Sequence, residues 1–149
     1  MAVYPILIAA AVTVLDQVIK NYLVKALAAG QITVIKNFFY LTYVENYGIA
    51  FGMFRNKTLF FIISISIISV LVAYMIYKFH DKSVPVTVCL SLILGGAIGN
   101  LIDRIRLGYV VDYLHFSIFP PVFNFADSAI VVGAILLSLI LVFNKDLVI

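Results

Sequence analysis

Residues 58–77 run for twenty positions without a single charge. As a helix this run is about 30 Å long, the thickness of a bilayer's hydrocarbon core. The rest of the chain cannot wrap it in a water-facing shell. Of 149 residues, 64% are hydrophobic and 11% charged, where a soluble domain carries about 45–50% and about 25%. Lipid is the expected solvent, and one membrane domain, 1–149, the expected organisation.

Two further uncharged runs follow. Residues 84–102 end at Asp103 and Arg104, and the last run, 128–144, is slightly short but extends backwards through Phe125 as a span. The first span, about 2–24, is interrupted by Asp16, Gln17, Lys20 and Asn21, which share one helical face. A single polar stripe on a membrane helix points to a protein interior or a wet cavity. This apolar start has no basic n-region and no good small-residue cleavage site, so it reads as a retained helix. Four spans are therefore expected, at about 2–24, 58–77, 84–102 and 126–144. The fold class is an all-α integral membrane protein, with a small β-rich extracytoplasmic segment between the first and second helices. That segment lies in 26–57, where 33–44 is rich in Ile, Val, Phe, Tyr and Thr. The other long connection, 104–124, contains Pro120-Pro121, which rules out a continuous helix. Both long connections fall on one side of the membrane, where the working face is expected.

The net charge of +3, with scattered Lys and Arg, offers no nucleic-acid groove. Cys89 is the lone cysteine, and His80 and His115 the only histidines. There is no His-Glu-x-x-His pair, no cysteine cluster and no glycine-rich phosphate loop, so neither metal nor cofactor is expected. Carboxylates remain. Asp81 and Asp146 stand beside lysines and read as solvated interface charges. Glu45 and Asp103 lie near membrane boundaries, with Arg104 the obvious neighbour of Asp103. Asp112 and Asp127 differ, because each sits in an apolar stretch with no adjacent cation. An aspartate in such a setting is costly and marks function by default.

Each has a structural alternative. Asp127 with Ser128 can cap the final helix, and Asp112 can pair with Arg104 or Arg106. As a pair they support specific chemistry. Two close carboxyls do not both ionise easily, so one keeps a proton while the other is charged. The charged one draws a proton from water, and the protonated one polarises a peptide carbonyl. A helix N-terminus beside Asp127 favours its ionised form and makes it the expected base. A small ion-coupled transporter using both aspartates, and a structural subunit in which they only pair with arginines, are the rival readings.

Five blocks carry a resemblance. They are Asp16-Gln17-x-x-Lys20, Asn46-x-Gly48-x-Ala50-Phe51-Gly52, Gly95-Gly96-Ala97-x-Gly99-Asn100-Leu101-x-Asp103-Arg104, Gly108-Tyr109-Val110-Val111-Asp112-Tyr113 and Phe123-Asn124-x-Ala126-Asp127. In this order the chain resembles lipoprotein signal peptidase, the bacterial signal peptidase II family. The resemblance implies an aspartic endopeptidase that cleaves diacylglyceryl-modified prolipoproteins before the lipidated cysteine, with Asp112 and Asp127 as the catalytic pair. It implies a bacterial cytoplasmic (inner) membrane location, cytoplasmic termini, an active site at the outer face and binding of globomycin-type inhibitors. It also implies that Asp16, Lys20, Asn46, Gly48, Gly96, Asn100, Arg104 and Asn124 support the site or contact substrate.

Spacing adds particulars. Gly96, Asn100 and Arg104 form a stripe along the third helix, and its glycines permit close helix approach. Asp16 and Lys20 are expected to form an i, i+4 pair whose loss harms folding more than chemistry. A positive-inside count opposes the implied orientation. Six Lys and Arg (Lys25, Lys36, Arg55, Lys57, Arg104, Arg106) lie on the side of the long connections, against Lys78, Lys82 and Lys145.

Overall fold

Helix α3 (Val84–Leu107) is the centre of the fold, and its small residues explain why. A side chain at Gly95 would meet the Ala9 carbonyl and Val12 on α1 (Tyr4–Ala26). One at Gly96 would run into the Ala126 carbonyl on α4 (Phe125–Phe143). Backbones therefore approach closely on both sides. More than half of α3's apolar window is buried, while little of that of α2 (Thr58–Phe79) is. The computed structural model describes residues 3–48 and 58–143. Ala50, Phe51, Gly52, Arg55, Lys57, Lys145 and Asp146 lie outside the described residues.

Four described helices are long and apolar enough to cross a membrane. The burial pattern is inverted relative to a soluble protein. Leu59, Val70 and Phe143 are exposed, whereas Asp16, Lys20, Thr87, Asn100, Asp103, Asp112 and Asn124 are buried. Exposed apolar surface on this scale belongs against lipid.

Helix α3 runs through Asp103 and Arg104 to Leu107 instead of stopping at 102. Its last turn carries Arg104 and Arg106, cations that suit a helix C-terminus. Ser83 caps its start by accepting from Val86 N–H. Gly108 ends it in the left-handed conformation (φ 84°), its N–H donating to the Arg104 carbonyl.

The β structure is not confined to the connection between the first two helices. Strands β1 (Ile32–Ile35) and β2 (Phe39–Asn46) lie there, but β3 (Val110–Phe116) and β4 (Phe119–Phe123) come from the connection between α3 and α4. Together they form one antiparallel sheet in the order β1-β2-β3-β4. Pro120 and Pro121 sit on β4, an edge strand, where a missing N–H is tolerated. The central β2–β3 pairing sets Phe39 opposite Phe116 and Val44 opposite Asp112. Phe39, Phe116 and Phe123 stack across three strands. The sheet joins both long connections at one end of the bundle, and β3 delivers Asp112 to it.

Candidate active site

Two carboxylates from different elements meet around one asparagine. Asp112 is the third residue of β3 and is 1% exposed. Asp127 lies in the first turn of α4. Asn124, directly before that helix, is wholly buried. Its Oδ1 accepts from Asp127 N–H at 2.8 Å, and its own N–H donates back to Asp127 Oδ2 at 3.3 Å. This is the reciprocal geometry of a capping box, so the capping reading of Asp127 holds alongside its place beside Asp112. Asn124 Nδ2 then donates to Asp112 Oδ1 at 2.7 Å. One residue starts the helix and touches both carboxyls, Asp112 through its side-chain amide and Asp127 through its backbone N–H.

Two more amides complete the surroundings. Asn100 Nδ2 donates to Asp127 Oδ1 at 2.7 Å, and Asn46 Nδ2 to Asp112 Oδ2 at 2.8 Å. Asp112's hydrogen-bonded partners are thus asparagines, not Arg104 or Arg106. Burial, reinforced by the charge of Asp127, pushes the Asp112 carboxyl from its ordinary 3.8 up to about 7, and the Asn46 and Asn124 N–H groups act against the rise.

The start of α4 is satisfied from three directions. Phe125 N–H donates to the Tyr113 hydroxyl on β3, Ala126 N–H to Asp16 Oδ1 on α1, and Ser128 N–H to the Asn124 carbonyl. The Ser128 bond is the first regular helical one, and with Asn124 N–H on Asp127 Oδ2 and Asp127 N–H on Asn124 Oδ1, all four free amides of the helix start (124–127) have acceptors. Asp16 forms the expected pair with Lys20 at 2.7 Å, and Gly99 leaves room for its carboxylate. Lys20 has a second partner, Asp103, at 2.8 Å. Here the expectation that Asp103 neighbours Arg104 is corrected. Adjacent residues on a helix point about 100° apart, so Asp103 faces α1 while Arg104 Nη2 donates to the Gly48 carbonyl at 3.2 Å. The Arg104 guanidinium also lies over the Phe61 ring, 5.1 Å from its centroid.

The structure therefore brings Asn46, Asn100 and Asn124 onto the two aspartates, with Arg104 and Gly48 joined close by. Gly96 packs α3 on α4, while Asp16 and Lys20 stand behind, bonded to the helix start and to Asn100. Three contributors escape the sequence reading. Gln17 Nε2 donates to Asp103 Oδ1 at 2.8 Å, Asp103 Oδ2 accepts from Val111 N–H at 3.1 Å, and Tyr113 caps α4. The spacing 96, 100, 103 along one helix face was the available signal for Asp103. Outside this network, Glu45 accepts from the Tyr43 and Tyr47 hydroxyls. Asp81 is largely exposed and pairs with His80. A cavity of about 120 Å³ lies on the far side of Lys20, between Gln17, Asn21, Tyr43 and Arg106, and neither dyad aspartate lines it.

Among known proteins, the family model described as signal peptidase (SPase) II matches residues 8–143. A lipoprotein signal peptidase of Caldanaerobacter subterraneus subsp. tengcongensis is 53% identical, covering 93% of this chain and 96% of the relative. One from Halothermothrix orenii is 49% identical, covering 87% and 89%. Two solved bacterial membrane enzymes, both studied by the in meso method, have the same fold. One aligns with a TM-score of 0.83 at 35% identity over 95% of this chain and 94% of that one. The other gives 0.78 at 34% identity, over 96% and 88%. Four apolar helices and membrane-enzyme relatives make this a multi-pass membrane protein. With the match running through every block that meets at the two aspartates, the chain belongs to the signal peptidase II family.

Proposed function

We propose that the chain is an aspartic endopeptidase of the bacterial cytoplasmic membrane, built as one membrane domain. It removes the signal peptide from diacylglyceryl-modified prolipoproteins, cutting before the lipidated cysteine. Family membership supports the removal of signal peptides from lipoprotein precursors. The observation that carries the aspartic mechanism is the side chain of Asn124, hydrogen-bonded to Asp112 and to the Asp127 backbone at once.

In this reading Asp112, raised to about 7, holds a proton near neutral pH. Asp127, at the start of a helix and bonded by the Asn100 and Asn124 N–H groups, is the charged partner. Asp127 takes a proton from water, whose oxygen attacks the scissile carbonyl carbon, while Asp112 gives its proton to the carbonyl oxygen. The tetrahedral diol then collapses, Asp112 recovers its proton, and the departing amine takes the proton held by Asp127. Arg104, tied to the Gly48 carbonyl just after β2, contacts substrate in this reading.

The sheet end of the bundle is the outer face, and globomycin-type inhibitors bind there. Arg104 belongs to a helix packed into the site. It therefore drops out of the loop charges that argue for the opposite orientation.

The test is a gel-shift assay with purified protein in detergent and a diacylglyceryl-modified prolipoprotein. Wild type is expected to release the signal peptide, and folded Asp112→Asn and Asp127→Asn to release none. Normal cleavage by either variant overturns the dyad, and an uncut competent substrate overturns the peptidase reading.

A further inference from the structure

Each asparagine beside the dyad has its amide oxygen engaged by a donor from elsewhere. Gly48 N–H donates to Asn46 Oδ1 at 3.0 Å, Asp127 N–H to Asn124 Oδ1 at 2.8 Å, and Lys20 Nζ to Asn100 Oδ1 at 3.1 Å. The three amide nitrogens are thereby turned toward Asp112 and Asp127. Flipping any of these amides sets nitrogen against a donor and oxygen against a carboxylate, two repulsions in place of two bonds.

Two of the locks are local, two and three residues away in the chain. The third crosses from α1 to α3, over 80 residues. Lys20 is buried, and its three N–H groups have three acceptors: Asp16, Asp103 and Asn100. Asn124 Nδ2 also approaches Asn100 Oδ1 at 3.1 Å, but it is shared with Asp112 and the Val111 carbonyl. The ammonium is the charged donor, and charge-assisted bonds are roughly twice as strong as neutral ones. A cation on the amide oxygen also polarises the amide and strengthens donation from its nitrogen.

We infer that Lys20 is a positioning residue of the dyad: through Asn100 it aims and strengthens the N–H that Asp127 receives. This gives Lys20 a task beyond supporting α1, and it rests on the peptidase reading above.

The test is a double-mutant cycle on the full chain with a diacylglyceryl-modified prolipoprotein, reading kcat and KM separately. Losing one preorganised donor costs about 10²-fold in kcat, so Asn100→Leu is expected to show that loss with KM within about twofold. Lys20→Met is expected to lower kcat about tenfold on the wild-type background and less than about twofold on Asn100→Leu, as residues acting through one another do. Equal fold-losses on both backgrounds overturn the inference while leaving the peptidase reading intact; a wild type that cleaves nothing overturns the peptidase reading itself. Should Lys20→Met alone not fold, the cycle is run on Asp103→Asn, which leaves one fewer carboxylate for the missing ammonium to neutralise. Its amide oxygen still accepts from Val111 N–H, and the same two outcomes decide.

Discussion

Replacing Asp112 with asparagine should change how stability responds to pH, apart from any effect on cleavage. The Asp112 carboxyl stands at about 7 in the folded protein against an ordinary 3.8. A carboxyl raised on folding contributes most at low pH, and that contribution is lost as pH rises from the unfolded value through the folded one. Integrated from pH 5 to pH 8, the loss is about 2.5 kcal/mol. Asp112→Asn has no such titration, so this part of the pH dependence disappears. The substitution has its own cost. Asp112 accepts one amide N–H on each oxygen, and an asparagine offers only one oxygen, leaving one buried donor unpaired for about 1–3 kcal/mol. The variant should therefore be the less stable protein at pH 5 and close to wild type, or above it, at pH 8. Cys89 is buried, so a maleimide dye that reacts as the thiol becomes exposed reports unfolding without reference to activity. The difference in melting temperature between the two proteins should change by about 5–10 °C across this pH range. Parallel melting curves at both pH values would refute the argument, because Asp112 would then not be buried with a raised pKa.

Gly96→Ala drives a Cβ into the Ala126 carbonyl and should cost about 1–3 kcal/mol of stability. Because the turn it displaces carries Asp127, kcat should fall more than KM rises, and a variant with wild-type melting and kcat would contradict this packing. Asp16→Ala leaves Ala126 N–H without its acceptor and Lys20 with one carboxylate, and should cost about 3–5 kcal/mol in the same melting assay. Asn46→Ala removes an N–H that favours charged Asp112. The pKa of the acid then rises, and the alkaline limb of the pH–rate profile should move upward by about one unit. A limb that stays or moves down would take the proton-donor role from Asp112.

The helices were legible because runs of about twenty apolar residues have few other fates. Asp112 and Asp127 stood out for the same reason, as charges without adjacent cations in an apolar chain. What escaped reading was pairing at a distance. Pro120-Pro121 excluded a helix correctly, yet nothing local says that this stretch borders β3 or that β3 pairs with β2. Strand partners are chosen by register and cross-strand packing, such as Phe39 on Phe116, which no local pattern encodes. Asp103 misled for a related reason. Its sequence neighbour Arg104 is obvious, but a helix turns the two apart, and the partner it finds, Lys20, lies on another span. Tyr113 stood in the sequence only beside Asp112 in an apolar stretch, and nothing local says that its hydroxyl accepts the Phe125 N–H at the start of α4.

The Asp16–Lys20 pair also bears on how the chain enters the membrane. The bond from Ala126 N–H to Asp16 joins residues 110 positions apart, so at about 5–20 residues per second roughly 6–20 s of synthesis separate the two. During that interval α1 must sit in or near lipid with an aspartate and a lysine in its lower half. Either charge alone costs about 2.5–3.5 kcal/mol at the centre of a helix in the bilayer. Carried four residues apart on one helix, they neutralise each other before any other span exists. The pair thus travels as an electrically closed unit, and the second carboxylate partner of Lys20, Asp103, arrives with α3.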